Sequence, residues 1–278
     1  MSTVEVVGGD VTIIAPERSH RPVGPLQQPD RKLWQLWRRP PACPFCPGQE
    51  ALNIEVHREE HPSDSGSWIL RVIKNKWPLH ECHEVVIFSP DHKATLGGLS
   101  QQQLLRALQV LRDRVAHWHN RGVRVAVYIN KGRLAGASQP HLHGQIVGLN
   151  DGQVVRFPRY NGDTMMPSQT EVFRVLVPRV PLRDWETLFE PLEQSPLWGA
   201  SDAQLAALAA VLGPMLMLLE AQDEDMPYNV LFDPETCRVR VCGRKYTTAG
   251  FEESIGCRII HIDPAIWAEQ LRVVLAHP

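Results

Sequence analysis

The chain has 278 residues, which is enough for one large domain or two small ones with a buried core. Its 29 Lys and Arg nearly balance its 31 Asp and Glu, and the formal net charge of −2 lacks the basic excess of a dedicated binder of nucleic acids or anionic membranes. We therefore expect a small-molecule partner, with no nucleic-acid or membrane partner.

The length of the apolar runs and the number of cysteines indicate the cellular compartment of the protein. The most apolar run, 205–219, is shorter than the roughly 20 residues of a membrane span, and Gly213 and Pro214 interrupt it. The first 20 residues carry several charges and no apolar stretch of signal-peptide length. Six cysteines are too few for a disulfide scaffold. We expect a cytoplasmic protein without a transmembrane helix, whose cysteines are thiols or metal ligands.

Hydrophobic periodicity predicts mainly strands in the first half of the chain. The predicted strands are 11–15, 68–73, 84–88, 123–129 and 142–148. Between the third and fourth strands, apolar residues recur at three- and four-residue steps, which predicts a helix with Ser100 as its N-cap. The predicted helix runs through about His117 and is stopped by residues 120–122. The last two strands are joined by a loop that contains Gly and Ser.

The second half repeats this order of elements. A predicted strand at 172–177 precedes a helix that is capped by Ser201 or Asp202 and runs to about Glu220. Two further strands are predicted at 228–232 and 237–242. The repeated order predicts an internal duplication, in which two α+β halves share one sheet or pack as pseudo-repeats.

A His-x-His pattern is the sharpest local feature. On a strand, alternation sends His141, His143 and Gln145 to the same face. A half-exposed strand with surface histidines is the simplest interpretation of such a pattern alone. The preceding loop favours a binding site instead, because its small residues let backbone N–H groups approach an anion that Asn130 and Ser138 also bind.

Two cysteines form a second candidate site. Cys43 and Cys46 are spaced to occupy two corners of a tetrahedral zinc site, although a lone C-x-x-C also fits a redox pair or no function. A redox pair is disfavoured because Pro47, and not a helix start, follows. We choose His92 and His141 as the missing ligands. The rival histidines that spacing does not exclude are His57, His61, His80 and His83.

Two arginines follow the first predicted strand. Arg18 and Arg21 lie three residues apart, and a guanidinium group matches the geometry of phosphate oxygens. A solvated basic turn is the alternative interpretation.

These motifs together resemble the galactose-1-phosphate uridylyltransferase family, a branch of the histidine triad superfamily. The segments that carry the resemblance, in the family's order, are IIAPERSHRP at 13–22, CPFCPGQE at 43–50, RVIKNKWP at 71–78, HEVVIFSPDH at 83–92 and INKGRLAGASQPHLHGQI at 129–146. The resemblance implies an α+β fold with two histidine-triad-like halves around a mainly antiparallel sheet. Residues 1–150 are expected to form the catalytic half with the zinc site, and residues 151–278 the sugar-phosphate half.

The resemblance also implies roles for individual residues. The positions that match the family's zinc ligands are Cys43, Cys46, His92 and His141. His143 matches the nucleophile that takes the α-phosphoryl group of the nucleotide, and Gln145 matches the family's glutamine beside the transferred phosphate. The implied substrate-binding positions are Arg18, Arg21, Asn75, Asn130, Gly136 and Ser138.

The implied chemistry is physically coherent. Four protein ligands leave no open position on the zinc, so the ion is expected to be structural. An imidazole, with an unperturbed pKa of about 6.5, is nucleophilic at pH 7 if its other nitrogen is held. We expect a backbone carbonyl of the 130–140 loop to hold that nitrogen of His143. The amide of Gln145 cannot act as a general acid or base near pH 7, which favours transfer over hydrolysis.

The resemblance favours a homodimeric enzyme that moves uridylyl groups between UDP-glucose and a hexose 1-phosphate through a nucleotidyl-histidine. An adenylyl-transferring phosphorylase that acts on an ADP-sugar or a dinucleoside polyphosphate is the first alternative, because the segment 250–264 also resembles ADP-glucose phosphorylases. A zinc-stapled nucleotide-binding protein without turnover is the second, and a nucleotidyl hydrolase is the third. The strand at 237–242 lacks the histidines of the second metal site of some family members, so we expect no second metal.

Overall fold

A computed structural model describes residues 3–7, 10–14, 43–61, 63–158, 160 and 163–276. The first two strands, β1 (Thr3–Val7) and β2 (Asp10–Ile14), pair as an antiparallel hairpin. The other strands are β3 (Glu55–His61), β4 (Asp64–Lys74), β5 (His83–Ile87), β6 (Val125–Lys131), β7 (His143–Gly148), β8 (Thr164–Gln169), β9 (Phe173–Pro178), β10 (Thr187–Pro191), β11 (Tyr228–Asp233) and β12 (Arg238–Gly243). The α-helices are α1 (Gln101–His119), α2 (Asp202–Glu220), α3 (Gly250–Ile255) and α4 (Pro264–Leu275).

Strands β3 to β12 form one sheet of ten strands in the described part of the chain. Their order is β3-β4-β5-β7-β6-β11-β12-β10-β9-β8. Every neighbouring pair in this sheet is antiparallel. The predicted α+β class with a mainly antiparallel sheet is therefore confirmed, and the two predicted halves share a single sheet.

The sheet has an internal pseudo-two-fold arrangement centred on β6 and β11. Ile129 of β6 faces Val230 of β11, and a half turn about this contact exchanges β7 with β12. The helices follow the same relation, because α1 and α2 each have 19 residues and each starts at a serine with a capping box. This arrangement supports the predicted duplication, whereas the division into two domains near residue 150 stays a prediction.

The serine caps allow a direct test of helix stability. The Ser201 hydroxyl accepts a hydrogen bond from the Gln204 N–H at 3.2 Å, which satisfies one of the free donors at the start of α2. We expect Ser201→Ala to lower the free energy of unfolding by about 1 kcal/mol, measured by urea denaturation. Ser254→Ala, which changes an exposed serine that does not cap a helix, is the control. Equal stabilities of the two variants would contradict the capping role.

The predicted elements agree with the observed ones to within a few residues, but some elements were not predicted from the sequence. Strand β3 reads EVHREEH and lies at the sheet edge, where charged side chains replace the apolar alternation that marks a strand. Strand β8 lies at the opposite edge and contains Pro167 within an irregular register. Strand β10 and helices α3 and α4 were also missed. Periodicity therefore identified the central strands better than the edges.

Helix α2 is a core helix. By length and apolar composition alone it could cross a membrane, and half of that stretch is buried. It packs on α1, α4 and β9, and Pro214 lies inside it without ending it. The buried residues of α2 are Leu205, Leu208, Ala209, Val211, Leu212, Met215, Leu216 and Leu219. The apolar run is thus explained by burial against the helices and the sheet.

The two faces of the first half of the sheet have different partners. One face packs on the helices and contributes to the main core, for example through Val86 and Ile146. Alternation places Val85 and Ile87 on the other face, where they form a second cluster with Phe45, Trp68 and Ile73. This second face, covered by the segment that carries Cys43 and Cys46, also carries the polar residues of β7.

Candidate active site and metal centre

Two thiols and two imidazoles converge at the start of β7. The ligand atoms of Cys43, Cys46, His92 and His141 all lie within 4.8 Å of one another. The His141 Nδ1 atom is 3.7 Å from Cys43 Sγ and 3.6 Å from Cys46 Sγ, and His92 Nδ1 is 3.3 Å from Cys46 Sγ. A tetrahedron with Zn–S of about 2.3 Å and Zn–N of about 2.0 Å has S···N edges of about 3.5 Å. The donor set therefore fits one metal ion.

Hydrogen bonding orients His141 for such a role. Its Nε2–H donates to the carbonyl oxygen of Ser89 at 2.7 Å, which leaves the lone pair on Nδ1 toward the sulfurs. Burial lowers the pKa of His141, which favours the neutral imidazole that a metal requires. Burial and the adjacent Cys43 raise the pKa of Cys46 to about 11, so this thiol is protonated near neutral pH unless a cation displaces its proton.

The four rival histidines have other contacts. His57 Nε2 lies 3.3 Å from the Glu59 carboxylate. The Nδ1 atoms of His61 and His80 accept from the backbone N–H groups two residues onward, at 3.3 Å and 3.0 Å. His83 contacts Gln145. The structure thus brings together the four residues that the sequence analysis chose.

His143, the first residue of β7, is held by His141, which lies two residues before the strand. The Nδ1–H of His143 donates to the carbonyl oxygen of His141 at 2.8 Å. This bond assigns the ring proton to Nδ1 and the lone pair to Nε2. We expected a carbonyl from the 130–140 loop to hold this ring, and that expectation was wrong, because the carbonyl belongs to the metal-site histidine two residues earlier. The His143 side chain is 4 % exposed.

Phe45 links the metal cluster to His143. It lies between the two cysteines in sequence, and its ring centroid is 5.3 Å from that of His143 and 6.1 Å from that of His141. A turn closed by the Cys46 N–H donating to the Cys43 carbonyl at 3.1 Å brings this ring onto the sheet. A bound ion would therefore fix one wall of the surroundings of His143.

A cavity of about 210 Å³ opens beside His143. Its lining residues are 44–45, 52–53, 73–77, Val85, 138–139, His143 and Gln145. Four of the predicted site residues, Asn75, Ser138, His143 and Gln145, thus share one cavity. Asn75 is fixed there because its Oδ1 accepts from the Trp77 N–H at 2.8 Å.

Two predicted binding residues, Asn130 and Gly136, are not among the residues that line the cavity. The Oδ1 atom of Asn130 accepts from Asn229 Nδ2 at 2.7 Å, and the same Nδ2 donates to the Ala135 carbonyl at 2.8 Å. Gly136 ends a short turn with a φ of +88°, a conformation that favours glycine. Both residues shape the loop that carries Ser138. Their predicted contacts with phosphate stay predictions.

The predicted phosphate ligands Arg18 and Arg21 lie outside the described residues. The structure also adds site residues that sequence reasoning missed. Phe45, Trp77 and Lys74 line the cavity, and Tyr128 contacts Gln145 across the β6–β7 pair. Phe45 and Trp77 lie inside the motifs at 43–50 and 71–78, but no sequence pattern assigned them a role. The contact of Tyr128 depends on the pairing register of β6 and β7, which the sequence does not show.

Known proteins resemble the chain over most of its length. The family model of the N-terminal domain of galactose-1-phosphate uridyl transferase matches residues 81–150. An ADP-glucose phosphorylase of Arabidopsis thaliana is 24 % identical over 94 % of this chain and 89 % of its own. The resemblance to the galactose-1-phosphate uridylyltransferase family is confirmed. A galactose-1-phosphate uridylyltransferase of Haemophilus influenzae is likewise 24 % identical, over 79 % of this chain and 74 % of its own.

The fold agrees with this resemblance to the uridylyltransferases and their phosphorylase relatives. The crystal structure of an ADP-glucose phosphorylase from Arabidopsis thaliana with bound ADP-glucose superposes with a TM-score of 0.70. The two chains are 21 % identical, and the match covers 98 % of this chain and 99 % of the other. The two proteins therefore share the whole fold. The matched family segment includes His92, His141, His143 and Gln145.

Proposed function

We propose that the protein is a nucleotidyltransferase that moves a nucleoside monophosphate between phosphate groups through a covalent intermediate on His143. The observation that carries this proposal is the hydrogen bond from His143 Nδ1–H to the His141 carbonyl. It assigns the nucleophilic lone pair to Nε2 of a residue that lines the 210 Å³ cavity. The names of the relatives support the same chemistry.

The proposed reaction has two displacements at the α-phosphorus. In the first, His143 Nε2 forms a P–N bond, and the P–O bond to the departing sugar 1-phosphate breaks with its electron pair on that oxygen. In the second, a phosphate oxygen of the acceptor forms a P–O bond, and the P–N bond returns its electron pair to His143. Ser138 and Gln145 are proposed to donate hydrogen bonds to the phosphoryl oxygens, which stabilises the charge in both transition states.

UDP-glucose and a hexose 1-phosphate are our first candidates for the substrates. The second candidate is adenylyl transfer from an ADP-sugar or a dinucleoside polyphosphate, and the phosphorylase relative that covers 94 % of the chain favours it. We further propose that the enzyme is a cytoplasmic homodimer and that residues 151–278 bind the sugar-phosphate side. Arg18 and Arg21 are proposed to contact the nucleotide phosphates.

Intact-mass spectrometry tests the activity and the base together. We expect the protein mixed with UDP-glucose, without an acceptor, to gain the mass of one uridylyl group. A gain of one adenylyl group with ADP-glucose instead would establish the second candidate. Nucleotide binding by calorimetry with no covalent gain from either compound would contradict the enzyme proposal and support a zinc-stapled binding protein. Steady release of free mononucleotide would support the hydrolase.

We propose that the metal is a structural zinc held by Cys43, Cys46, His92 and His141. The donor atoms match the softness and the tetrahedral geometry that zinc prefers. With four protein ligands, the ion supplies a cross-link between the 43–53 segment, the turn before α1 and the start of β7. The protein residues alone then bind, orient and attack the nucleotide.

A further inference from the structure

The Gln145 carboxamide accepts two hydrogen bonds on its oxygen. His83 Nε2 lies 3.0 Å from Gln145 Oε1, and the Tyr128 hydroxyl donates to the same oxygen at 3.2 Å. Gln145 and His83 are 5 % and 2 % exposed. Since water has little access to this contact, its polar atoms depend on one another for partners.

The backbone fixes which nitrogen of His83 carries the proton. The Leu79 backbone N–H donates to His83 Nδ1 at 3.0 Å. A backbone N–H can only donate, so Nδ1 is the acceptor and the proton of the neutral ring lies on Nε2. His83 is therefore a donor toward Gln145.

The neighbouring asparagine does not compete for this proton. Asn75 Nδ2 also lies 3.0 Å from His83 Nε2. The Trp77 N–H, however, fixes Asn75 Oδ1 as an acceptor on the other side, so the Asn75 atom near His83 is an amide N–H donor. With His83 Nε2 protonated, this contact joins two donors and is not a hydrogen bond. Gln145 Oε1 is thus the acceptor for the His83 proton.

The strand that carries His83 is locked to the strand that carries Gln145. The Gly148 N–H donates to the Cys82 carbonyl at 2.6 Å, and His83 pairs with Val147 across β5 and β7. The adjacent Glu84 is buried and forms a bidentate ion pair with Arg114 of α1. These contacts hold the His83 ring at one position against the sheet.

An amide with two donors on its oxygen has one orientation available for its nitrogen. Gln145 lines the cavity together with His143, two residues away on the same face of β7. We propose that His83 is a positioning residue that fixes the Gln145 amide so that its N–H₂ group, and not its oxygen, faces the phosphoryl group transferred at His143. The inference rests on the proposed nucleotidyl transfer. A reversed amide would direct a lone pair at the negatively charged phosphoryl oxygens and lose a donor in the transition state.

A double-mutant cycle with Gln145→Ala tests this role. His83→Phe keeps an aromatic ring but removes the donor, and we expect kcat to fall about 10- to 100-fold while KM changes by less than about twofold. In the His83→Phe background, Gln145→Ala should have little further effect, because the amide is already misoriented. Multiplicative losses, or an unchanged kcat in His83→Phe, would overturn the proposal.

Two variants keep the test independent of folding. His83→Gln retains an N–H donor, and we expect it to recover most of the lost kcat; a folded His83→Gln no faster than His83→Phe would overturn the proposal. If His83→Phe does not fold, the cycle is run with His83→Leu, which also removes the donor, and multiplicative losses with Gln145→Ala would again overturn the proposal. His57→Phe, on the half-exposed histidine of β3, is the matched control for a His-to-Phe change.

The outcome separates this inference from the proposed function. If the wild-type protein gains no nucleotidyl mass from UDP-glucose or ADP-glucose, the proposed function fails. If the wild type is labelled and His83→Phe is labelled at the same rate, the transfer chemistry stands and only the positioning role fails.

Discussion

Replacing His143 by asparagine is expected to lower kcat for nucleotidyl transfer by at least about 10⁴-fold, the scale found when the attacking group of a covalent mechanism is removed. Asparagine retains an N–H group that can reach the His141 carbonyl, so the local hydrogen bond of 2.8 Å has a replacement. It has no nitrogen lone pair for attack on phosphorus. The variant should therefore fold, bind nucleotide and fail to form the covalent intermediate.

Intact mass and steady-state rates measure this loss. His119→Asn is the matched control, because His119 lies at the exposed end of α1, where its ring stacks on Trp198 at 3.9 Å. The control should retain the wild-type rate and the covalent mass gain. A His143→Asn protein that still gains the nucleotidyl mass would assign the nucleophile to another residue.

The second large effect is expected from loss of a metal ligand. In Cys46→Ser the metal site loses a thiolate, and we expect the zinc content to fall from one per chain to near zero. The lost cross-link would release the 43–53 segment from β7. If the ion contributes about 4 kcal/mol to stability, Tm should fall by about 10 °C, at 2–4 °C per kcal/mol for a chain of this size.

Metal analysis and thermal melting provide the readout. Cys257→Ser, outside the cluster, is the control and should keep both the zinc and the wild-type Tm. Treating the wild type with a chelator should reproduce the shift of Cys46→Ser and leave that variant unchanged. A Cys46→Ser protein with wild-type Tm would show that the cluster does not stabilise the fold. Because Phe45 packs at 5.3 Å from His143, the released segment should also lower kcat.

The sequence predicted the parts of the site that depend on short-range geometry. Strand alternation alone placed His141, His143 and Gln145 on one face. In the structure His143 and Gln145 lie on β7, His141 precedes that strand by two residues, and all three are buried. We expected a backbone carbonyl to hold the second ring nitrogen of His143, but the sequence did not identify the carbonyl of His141. This contact between residues two apart depends on the side-chain rotamer, which the sequence does not specify.

The rest of the site depends on long-range register. Tyr128 lies opposite Gln145 because β6 and β7 pair in one register, and Val85 lies opposite Gln145 on the other side. A shift by one residue would replace these neighbours, and no local pattern in the sequence specifies it. His83 was therefore visible only as one of several candidate metal ligands. Its contact with Gln145 follows from the pairing of β5 with β7.

The central two-fold relation of the sheet assigns each residue of β7 a counterpart on β12. Gly144 pairs with Ile129 as Val241 pairs with Val230, so the counterparts of His143 and Gln145 are Arg240 and Cys242. Arg240 binds the buried carboxylate of Glu186 through Nε at 2.5 Å.

At this two-fold-related position, Arg240 is paired with a carboxylate of the same chain. Glu186 also accepts from the Tyr160 hydroxyl and from the Leu182 N–H at 2.6 Å, so the carboxylate has a full set of donors. A guanidinium stays protonated in proteins and has no lone pair to attack phosphorus. The counterpart of His143 in the second half is thus a cation that Glu186 of the same chain neutralises. If the proposed transfer chemistry holds, we expect covalent labelling to reach at most one nucleotidyl group per chain.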